Sequence, residues 1–154
     1  MFDALEISAS GLTAERLRMD VTAQNLANAQ TTRGADGQPY RRKEVVLAER
    51  QAGGGFGATL QGAMRTQTTS SSRTSGPRPA GVEVAAISED QTPLKQIYDP
   101  SHPDADANGY VQMPNVDTVA EMVDLISAQR AYEANVTAMQ AAKQMFSKTL
   151  ELLR

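Results

Sequence analysis

The sequence predicts a mainly α-helical fold, in which long N- and C-terminal helices pair as a coiled coil or bundle around a short-stranded, loop-rich insert. Apolar residues recur at alternating spacings of three and four at both ends of the chain, which is the pattern of a coiled-coil seam. The middle is instead rich in Gly, Pro and Ser. The 154 residues fit one domain with extensions, and we divide them into 1–33, 34–113 and 114–154.

The first segment is predicted to be a helix that is marginal on its own. Gly11 lowers its stability by about 1 kcal/mol relative to Ala, and Arg16 is a polar residue on an otherwise apolar stripe. Such a helix needs a partner to persist. Its stripe consists of Phe2, Leu5, Ala9, Leu12, Met19, Ala23 and Leu26.

The middle segment is predicted to contain short strands separated by loops. Residues 42–47, 81–87 and 110–113 have β-branched or partly alternating patterns. Residues 53–57, 68–72 and 76–79 have the composition of loops or linkers. A stretch of this kind buries too little apolar surface to offset the entropy of ordering it, so we expect neighbouring proteins to hold it.

The last segment carries the stronger apolar stripe, which only Gln129 and Lys143 interrupt. Thr118 followed by Glu121 has the spacing of a capping box and marks the helix start. A helix from Thr118 to Arg154 would be about 55 Å long at 1.5 Å per residue, longer than a domain of this size, which is roughly 30–35 Å across. We therefore expect partner proteins along it. The predicted assembly interface comprises Leu5, Leu12, Met19, Leu26, Met122, Leu125, Tyr132, Val136, Met139, Phe146, Leu150 and Leu153.

Composition and charge exclude several classes of function. The net charge of −3 gives no basic face for nucleic acid, and the absence of cysteine excludes disulfides and thiolate metal sites. The N-terminus has no positively charged start followed by an apolar run, so no cleaved secretory signal is expected. On these grounds alone the protein would be cytoplasmic, unless a dedicated export route carries it.

One motif resembles a metal site but is incomplete. Residues 104–109 match the first half of a calcium loop, yet Asn115 stands where the bidentate Glu belongs, so an Asp/Asn/Gly turn is the better interpretation. His102 is the only histidine, which makes a zinc site or a catalytic base improbable. We expect no metal, cofactor, catalytic residue or small-molecule substrate.

Several stretches resemble the axial proteins of the bacterial flagellum. Residues 25–31, NLANAQT, have the form N-[LI]-A-N-x-x-T and resemble the N-terminal signature of rod, hook and hook-associated proteins. Residues 37–47 and 98–111 resemble segments of the FlgC-type proximal-rod subunits, and residues 121–145 resemble the C-terminal axial helix. The stretch 53–78 departs from the family pattern. The signature positions are Asn25, Ala27, Asn28, Thr31, Pro39, Tyr40, Pro100, His102, Pro103, Gly109 and Tyr110.

The resemblance implies a structural role in the basal-body rod rather than an enzymatic one. Proteins of this family leave the cytoplasm through the flagellar export apparatus without signal cleavage and polymerise helically in the periplasm. Their neighbours are other rod subunits, the basal adaptor and the membrane (MS) ring. The alternatives are another axial rod or hook subunit and a cytoplasmic helical adaptor or export chaperone.

Overall fold

A computed structural model describes residues 2–34, 36–51 and 79–152 of the chain. It confirms the predicted fold class, with two long terminal helices and a small antiparallel β insert. Leu153 and the loop stretches at 53–57, 68–72 and 76–78 lie outside the described residues. No helix in the described part is both long and apolar enough to cross a bilayer. The elements are α1 (Phe2–Ala27), β1 (Lys43–Gln51), β2 (Pro79–Glu89), β3 (Lys95–Tyr98), β4 (Tyr110–Met113) and α2 (Thr118–Leu152).

Helices α1 and α2 form an antiparallel pair. Asn25 near the end of α1 contacts Glu121 near the start of α2, and Gly11 faces Asn135. In both pairs the residue numbers sum to 146, so the two helices keep one register over four turns. The buried apolar residues of the pair are small: Ala14, Val21, Ala128 and Ala142.

The centre of the seam on α2 lies one residue before the predicted stripe. Glu121, Ala128 and Ala142, spaced by multiples of seven, are buried. Met122 and Leu150 of the predicted stripe are exposed instead. The predicted stripe follows the large apolar side chains. The centre of the seam instead holds the small Ala128 and Ala142, which let the helices approach closely, and the carboxylate of Glu121.

The insert consists of two antiparallel strand pairs. Strands β1 and β2 pair from Lys43↔Glu89 to Gln51↔Pro79, with register shifts after Val46 and Glu49, and both are longer than the sequence predicted. Strand β2 reaches α1, where the Val82 N–H donates to Ser10 Oγ at 3.0 Å. Strand β4 matches the prediction, and its partner β3 was missed.

The start of α2 corrects the capping-box prediction. Asp117 caps the helix, because its Oδ1 accepts a hydrogen bond from the Val119 N–H at 3.1 Å. The carboxylate of Glu121 does not return to the cap; it bonds Asn25 and Arg42. The side chain of Asp117 therefore caps the helix by itself, and Glu121 instead makes contacts between distant parts of the chain.

Candidate assembly interface

A buried amide joins three segments where α1 ends and α2 begins. The Asn25 side chain is 1% exposed. Its Nδ2 donates to the Lys43 carbonyl at 2.8 Å and to Glu121 Oε2 at 3.0 Å. Its Oδ1 accepts from the Tyr40 hydroxyl and the Lys43 N–H, both at 2.9 Å. The amide thus uses both donors and both acceptor positions, and it ties α1 and α2 to the chain entering β1.

The carboxylate of Glu121 is the charged centre of this cluster. Glu121 is 1% exposed, and its Oε1 accepts from Arg42 Nε at 2.6 Å. Arg42 also reaches Asp124 Oδ2 at 3.4 Å, while Arg18 of α1 lies 3.9 Å from Asp124 Oδ1. A buried carboxylate is stable only when its oxygens are paired, so α2 can occupy this position only with Asn25 and Arg42 present. We call Asn25, Tyr40, Arg42 and Glu121 the polar cluster.

The electrostatics of the cluster favour the neutral phenol and the charged guanidinium. Burial raises the pKa of the Tyr40 phenol, and the negative charges of Glu121 and Glu89 raise it further. The pKa of Arg42 is raised chiefly by its hydrogen bond to Glu121, against an opposing contribution from burial. The Tyr40 hydroxyl therefore stays protonated and donates its hydrogen bond to Asn25 over the whole physiological pH range.

The rest of the N-terminal signature forms the turn that ends α1. The Asn28 side chain donates to the Gln24 carbonyl at 2.8 Å, and its Oδ1 accepts from the Thr31 hydroxyl at 3.2 Å. The Tyr40 N–H donates to the Thr31 carbonyl at 3.2 Å, which brings the chain back towards Asn25. Ala27 is exposed, and Pro39 is half-buried beside Tyr40.

The second set of signature residues shapes the β3–β4 connection. His102 is a turn residue, because its Nδ1 accepts the Asp104 N–H at 3.1 Å. Gly109 has a φ of 77°, which only glycine adopts readily, and a side chain there would meet Tyr98 and Pro100. The rings of Tyr98 and Tyr110 pack edge to face at 5.4 Å. Pro103 is exposed in the same connection.

The residues of the incomplete calcium motif bond to other parts of the protein. Asp104 accepts from the Thr32 hydroxyl at 2.9 Å and lies 3.6 Å from Arg33. Asn115 accepts the Arg42 N–H at 2.8 Å and donates to Thr92 Oγ1 at 2.8 Å. Within the described residues, no group of three His, Cys, Asp or Glu side chains is placed to hold a metal.

The predicted interface residues are only partly covered within the chain. The exposed ones are Met122, Phe146 and Leu150. The half-buried ones lie along the two helices beside the small-residue seam: Leu5, Leu12, Met19, Leu26, Leu125, Tyr132, Val136 and Met139.

Three residues of an apolar patch on the first turns of α2 were missed in the sequence; the fourth, Met122, belongs to the predicted interface. Val119, Met122, Val123 and Ile126 follow the spacing of one helix face, and each is at least half exposed. The signal was present as a second i, i+3, i+4, i+7 set, but the neighbouring stripe masked it. We call these four residues the back patch, since Glu121 and Ala128 of the seam face the other way.

Glu121 and Arg42 were also missed as a pair. The sequence offered each a local explanation, a capping box for Glu121 and a place at the start of the predicted strand 42–47 for Arg42. Their contact joins positions 79 residues apart, and no local pattern records it.

Comparison with known proteins finds similarity along nearly the whole chain. A family model described as "Flagella basal body rod protein" matches residues 5–35, and one described as "Flagellar basal body rod FlgEFG protein C-terminal" matches residues 107–152. The chain is 50% identical to the flagellar basal-body rod protein FlgC of Bacillus subtilis, covering 98% of this chain and 97% of that protein. Identity to the FlgC proteins of Salmonella typhimurium and Borreliella burgdorferi is 43% and 42%, over 99% and 100% of this chain and 97% and 98% of theirs. The chain therefore belongs to the FlgC family of flagellar basal-body rod proteins.

Proposed function

We propose that this chain is a structural subunit of the proximal part of the flagellar rod, which transmits torque as a drive shaft and encloses the export channel. The observation that carries the proposal is the similarity to rod proteins along nearly the whole chain, including both paired terminal helices. The same similarity favours this reading over another axial subunit and over a cytoplasmic adaptor or chaperone.

A non-enzymatic role is supported by what the buried polar groups do. Asn25 and Glu121 bond other groups of the same chain. His102 and Asp104 stabilise a turn and a loop contact. These side chains therefore hold segments of the chain together.

The apolar surface supports assembly through the helical hairpin. Val123, Ile126, Met145 and Leu150 are between 52% and 61% exposed, and fully burying one such side chain contributes about 1.5–3 kcal/mol. Several per subunit favour association with neighbours. We assign to those neighbours the roles that the family resemblance implies: other rod subunits, the basal adaptor, the MS ring and, in transit, the export apparatus.

The location we propose is the rod in the periplasm, reached without cleavage of the N-terminus. Support comes from the family resemblance and from the pairing of α1 with α2 well before its last turns, where Gly11 faces Asn135. Removal of the first turns of α1 would take away the partner of α2 around residues 135–144.

The test is the location and function of the chain in cells that lack their own copy. The wild-type chain should restore swimming and co-purify with detergent-extracted basal bodies at its uncleaved mass. Leu150→Gln should abolish both because it removes exposed apolar surface, while Lys148→Gln, two residues earlier on the same exposed turn, should not. A chain that stays in the soluble fraction of swimming cells would refute the proposal.

A further inference from the structure

The turn before β4 contains a chemically labile pair of residues. Among the asparagines of the chain, at positions 25, 28, 108, 115 and 135, only Asn108 is followed by glycine. Glycine has no side chain to shield its backbone nitrogen from the neighbouring side-chain amide, and it restricts the backbone least. Asn108 is exposed, so water reaches its amide. The pair Asn108–Gly109 therefore has the chemistry needed for spontaneous loss of the side-chain amide.

The reaction consumes only water. The Gly109 nitrogen attacks Cγ of Asn108, loses its proton and displaces the side-chain nitrogen as ammonia, which leaves a cyclic succinimide. Water then opens the succinimide at either of its two carbonyls. One opening gives aspartate, and the other gives isoaspartate, in which the backbone runs through Cβ. In both products one amide has become one carboxylate, with no oxidant or reductant involved.

In the folded chain the attacking nitrogen is held by the turn. The Gly109 N–H donates to the Asp106 carbonyl at 2.8 Å. The Gly109 carbonyl accepts from the Asp99 N–H at 2.9 Å, and the Asp106 N–H donates to the Tyr110 carbonyl at 2.9 Å. These bonds fix the backbone on both sides of the nitrogen. They must break before the backbone can rotate and bring the nitrogen onto Cγ.

Packing adds to this restraint. Gly109 has a φ of 77°, and a Cβ there would lie 2.9 Å from the Tyr98 ring and 3.3 Å from Pro100 Cβ. The Tyr98 ring packs in turn against Tyr110, with 5.4 Å between the ring centroids. Rotation of the backbone at Gly109 therefore requires the Tyr98 ring to move away, which opens the β3–β4 hairpin.

We propose that Asn108 is a site of spontaneous deamidation, reactive while the chain is open and blocked once the turn before β4 has closed. Isoaspartate adds one backbone carbon between positions 108 and 109, so Gly109 can no longer keep its bonds to both Asp106 and Asp99. Modification and closure of the turn therefore exclude each other. The chemistry of the site is independent of the proposed rod function, and the assembled rod enters only as the folded state in which the rate is measured.

The experiment compares the full chain in guanidinium chloride with the same chain in isolated basal bodies. Both are incubated at one pH and temperature in water enriched in heavy oxygen, which labels only the carboxylates formed during the incubation. Asn108 and Asn115 lie in one tryptic peptide, 96–130, and fragmentation locates the label. Asn115 precedes a valine and should stay unlabelled. At Asn108 the rate in basal bodies should be at least about tenfold lower, because a turn whose opening costs about 1.4 kcal/mol is open one tenth as often.

Two variants test whether the closed turn is what slows the reaction. Tyr98→Ala removes the ring against Gly109 and should raise the rate in basal bodies towards the rate in guanidinium chloride. Tyr98→Phe keeps the ring and should keep the low rate. Asn108→Gln should abolish labelling in guanidinium chloride. If Tyr98→Ala does not assemble, the wild-type comparison decides.

The outcomes separate the modification site from the proposed function. Equal rates at Asn108 in basal bodies and in guanidinium chloride would overturn the blocking by the turn. An unlabelled Asn108 in guanidinium chloride would overturn the site itself. Absence of the wild-type chain from basal bodies would instead overturn the proposed function, and labelling of the denatured chain would still decide whether Asn108 is the reactive site.

Discussion

At the scale of single residues, Asn25 is suited to its place because an amide supplies two donors and two acceptors in one plane. The Lys43 backbone, the Tyr40 hydroxyl and the Glu121 carboxylate use all four. Aspartate has nearly the same shape but would place a second carboxylate 3.0 Å from Glu121 Oε2. Leucine would leave Tyr40, Lys43 and Glu121 unsatisfied, which costs about 1–3 kcal/mol for each buried group.

We predict that Asn25→Asp weakens the assembled subunit by about 3–5 kcal/mol, the cost of an uncompensated buried charge. The measurement is the temperature at which the subunit leaves isolated basal bodies. The release temperature of the variant should be well below the release temperature of the wild type. Adding Glu121→Gln should restore part of the loss, because the new amide can donate to the new carboxylate. Asn28→Asp, in the same signature but at a more exposed bond, is the control and should change release little. Equal effects at both positions would contradict the assigned role of the polar cluster.

Because of Tyr40, the polar cluster should lose stability at alkaline pH. Its folded pKa is raised above the ordinary value near 10, so folding favours the neutral phenol. This contribution is complete below about pH 10 and is lost as pH rises through the folded pKa.

We predict that Tyr40→Phe reduces stability at pH 7 by about 1 kcal/mol, because one hydrogen bond to Asn25 is lost. Between pH 10 and 12, however, the variant should lose less additional stability than the wild type, since it has no phenol to ionise there. Release of the subunit from basal bodies over pH 7–12 measures both effects. Parallel pH curves for the two proteins would show that Tyr40 does not titrate in the folded cluster.

At the scale of elements, the sequence predicted the helices well and the centre of their seam less well. Hydrophobicity pointed to Met122, Val136 and Leu150. The buried positions on α2 are instead Glu121, Ala128 and Ala142. Neither alanine nor a paired carboxylate carries much hydrophobic signal, although alanine lets two helices approach closely and the Glu121 carboxylate is buried by its partners Asn25 and Arg42. A pattern of apolar residues therefore finds the helix and misplaces its inner face by one position.

The missed elements share a physical cause, which is their dependence on distant partners. Strand β3 has four exposed residues and exists through its pairing with β4. Glu121 is buried because Arg42 and Asn25 arrive from elsewhere in the chain. The turn at Gly109 was easier to interpret, because it is local and the Asp/Asn/Gly pattern of residues 104–109 predicted it.

Gly11 marks a place where α1 and α2 approach closely. A Cβ there would lie 2.9 Å from Asn135 Nδ2 and 3.3 Å from its Cγ. Glycine costs about 1 kcal/mol of helix stability relative to alanine, and the close approach accounts for its presence.

We predict that Gly11→Ala changes the free energy of release from basal bodies by less than about 1 kcal/mol. The gain in helix propensity offsets the cost of a small shift of the flexible Asn135 side chain. Gly11→Leu should abolish swimming, since its side chain cannot fit between the helices. Combining Gly11→Leu with Asn135→Ala should recover part of the swimming by making room. A swimming Gly11→Leu strain would show that the helices do not need this close contact.

At the scale of the whole molecule, little of the apolar surface is buried within one chain. The buried apolar residues in the described part are four small or β-branched residues of the hairpin, Val111 in β4, and Pro114 and Val116 between β4 and α2. The polar cluster links both helices to the start of β1, so loss of either helix breaks the hydrogen bonds that the other elements make in the cluster. The two helices and the base of the insert should therefore become ordered together.

The last prediction concerns the state of the chain before assembly. Helices α1 and α2 contain 26 and 35 residues, yet their shared seam buries too few large apolar side chains to offset the entropy of ordering so many residues. The purified chain should therefore show much less helix by circular dichroism than these lengths imply, and the helix signal should rise on assembly with the other rod subunits. Leu150→Gln should leave the signal of the isolated chain unchanged but prevent the rise, because Leu150 lies beyond the reach of α1. Ala128→Asp should lower helix content in any state, since it places an unpaired charge in the seam. A purified chain already at full helix content would mean that the hairpin is a self-sufficient core, and that assembly adds contacts without adding order.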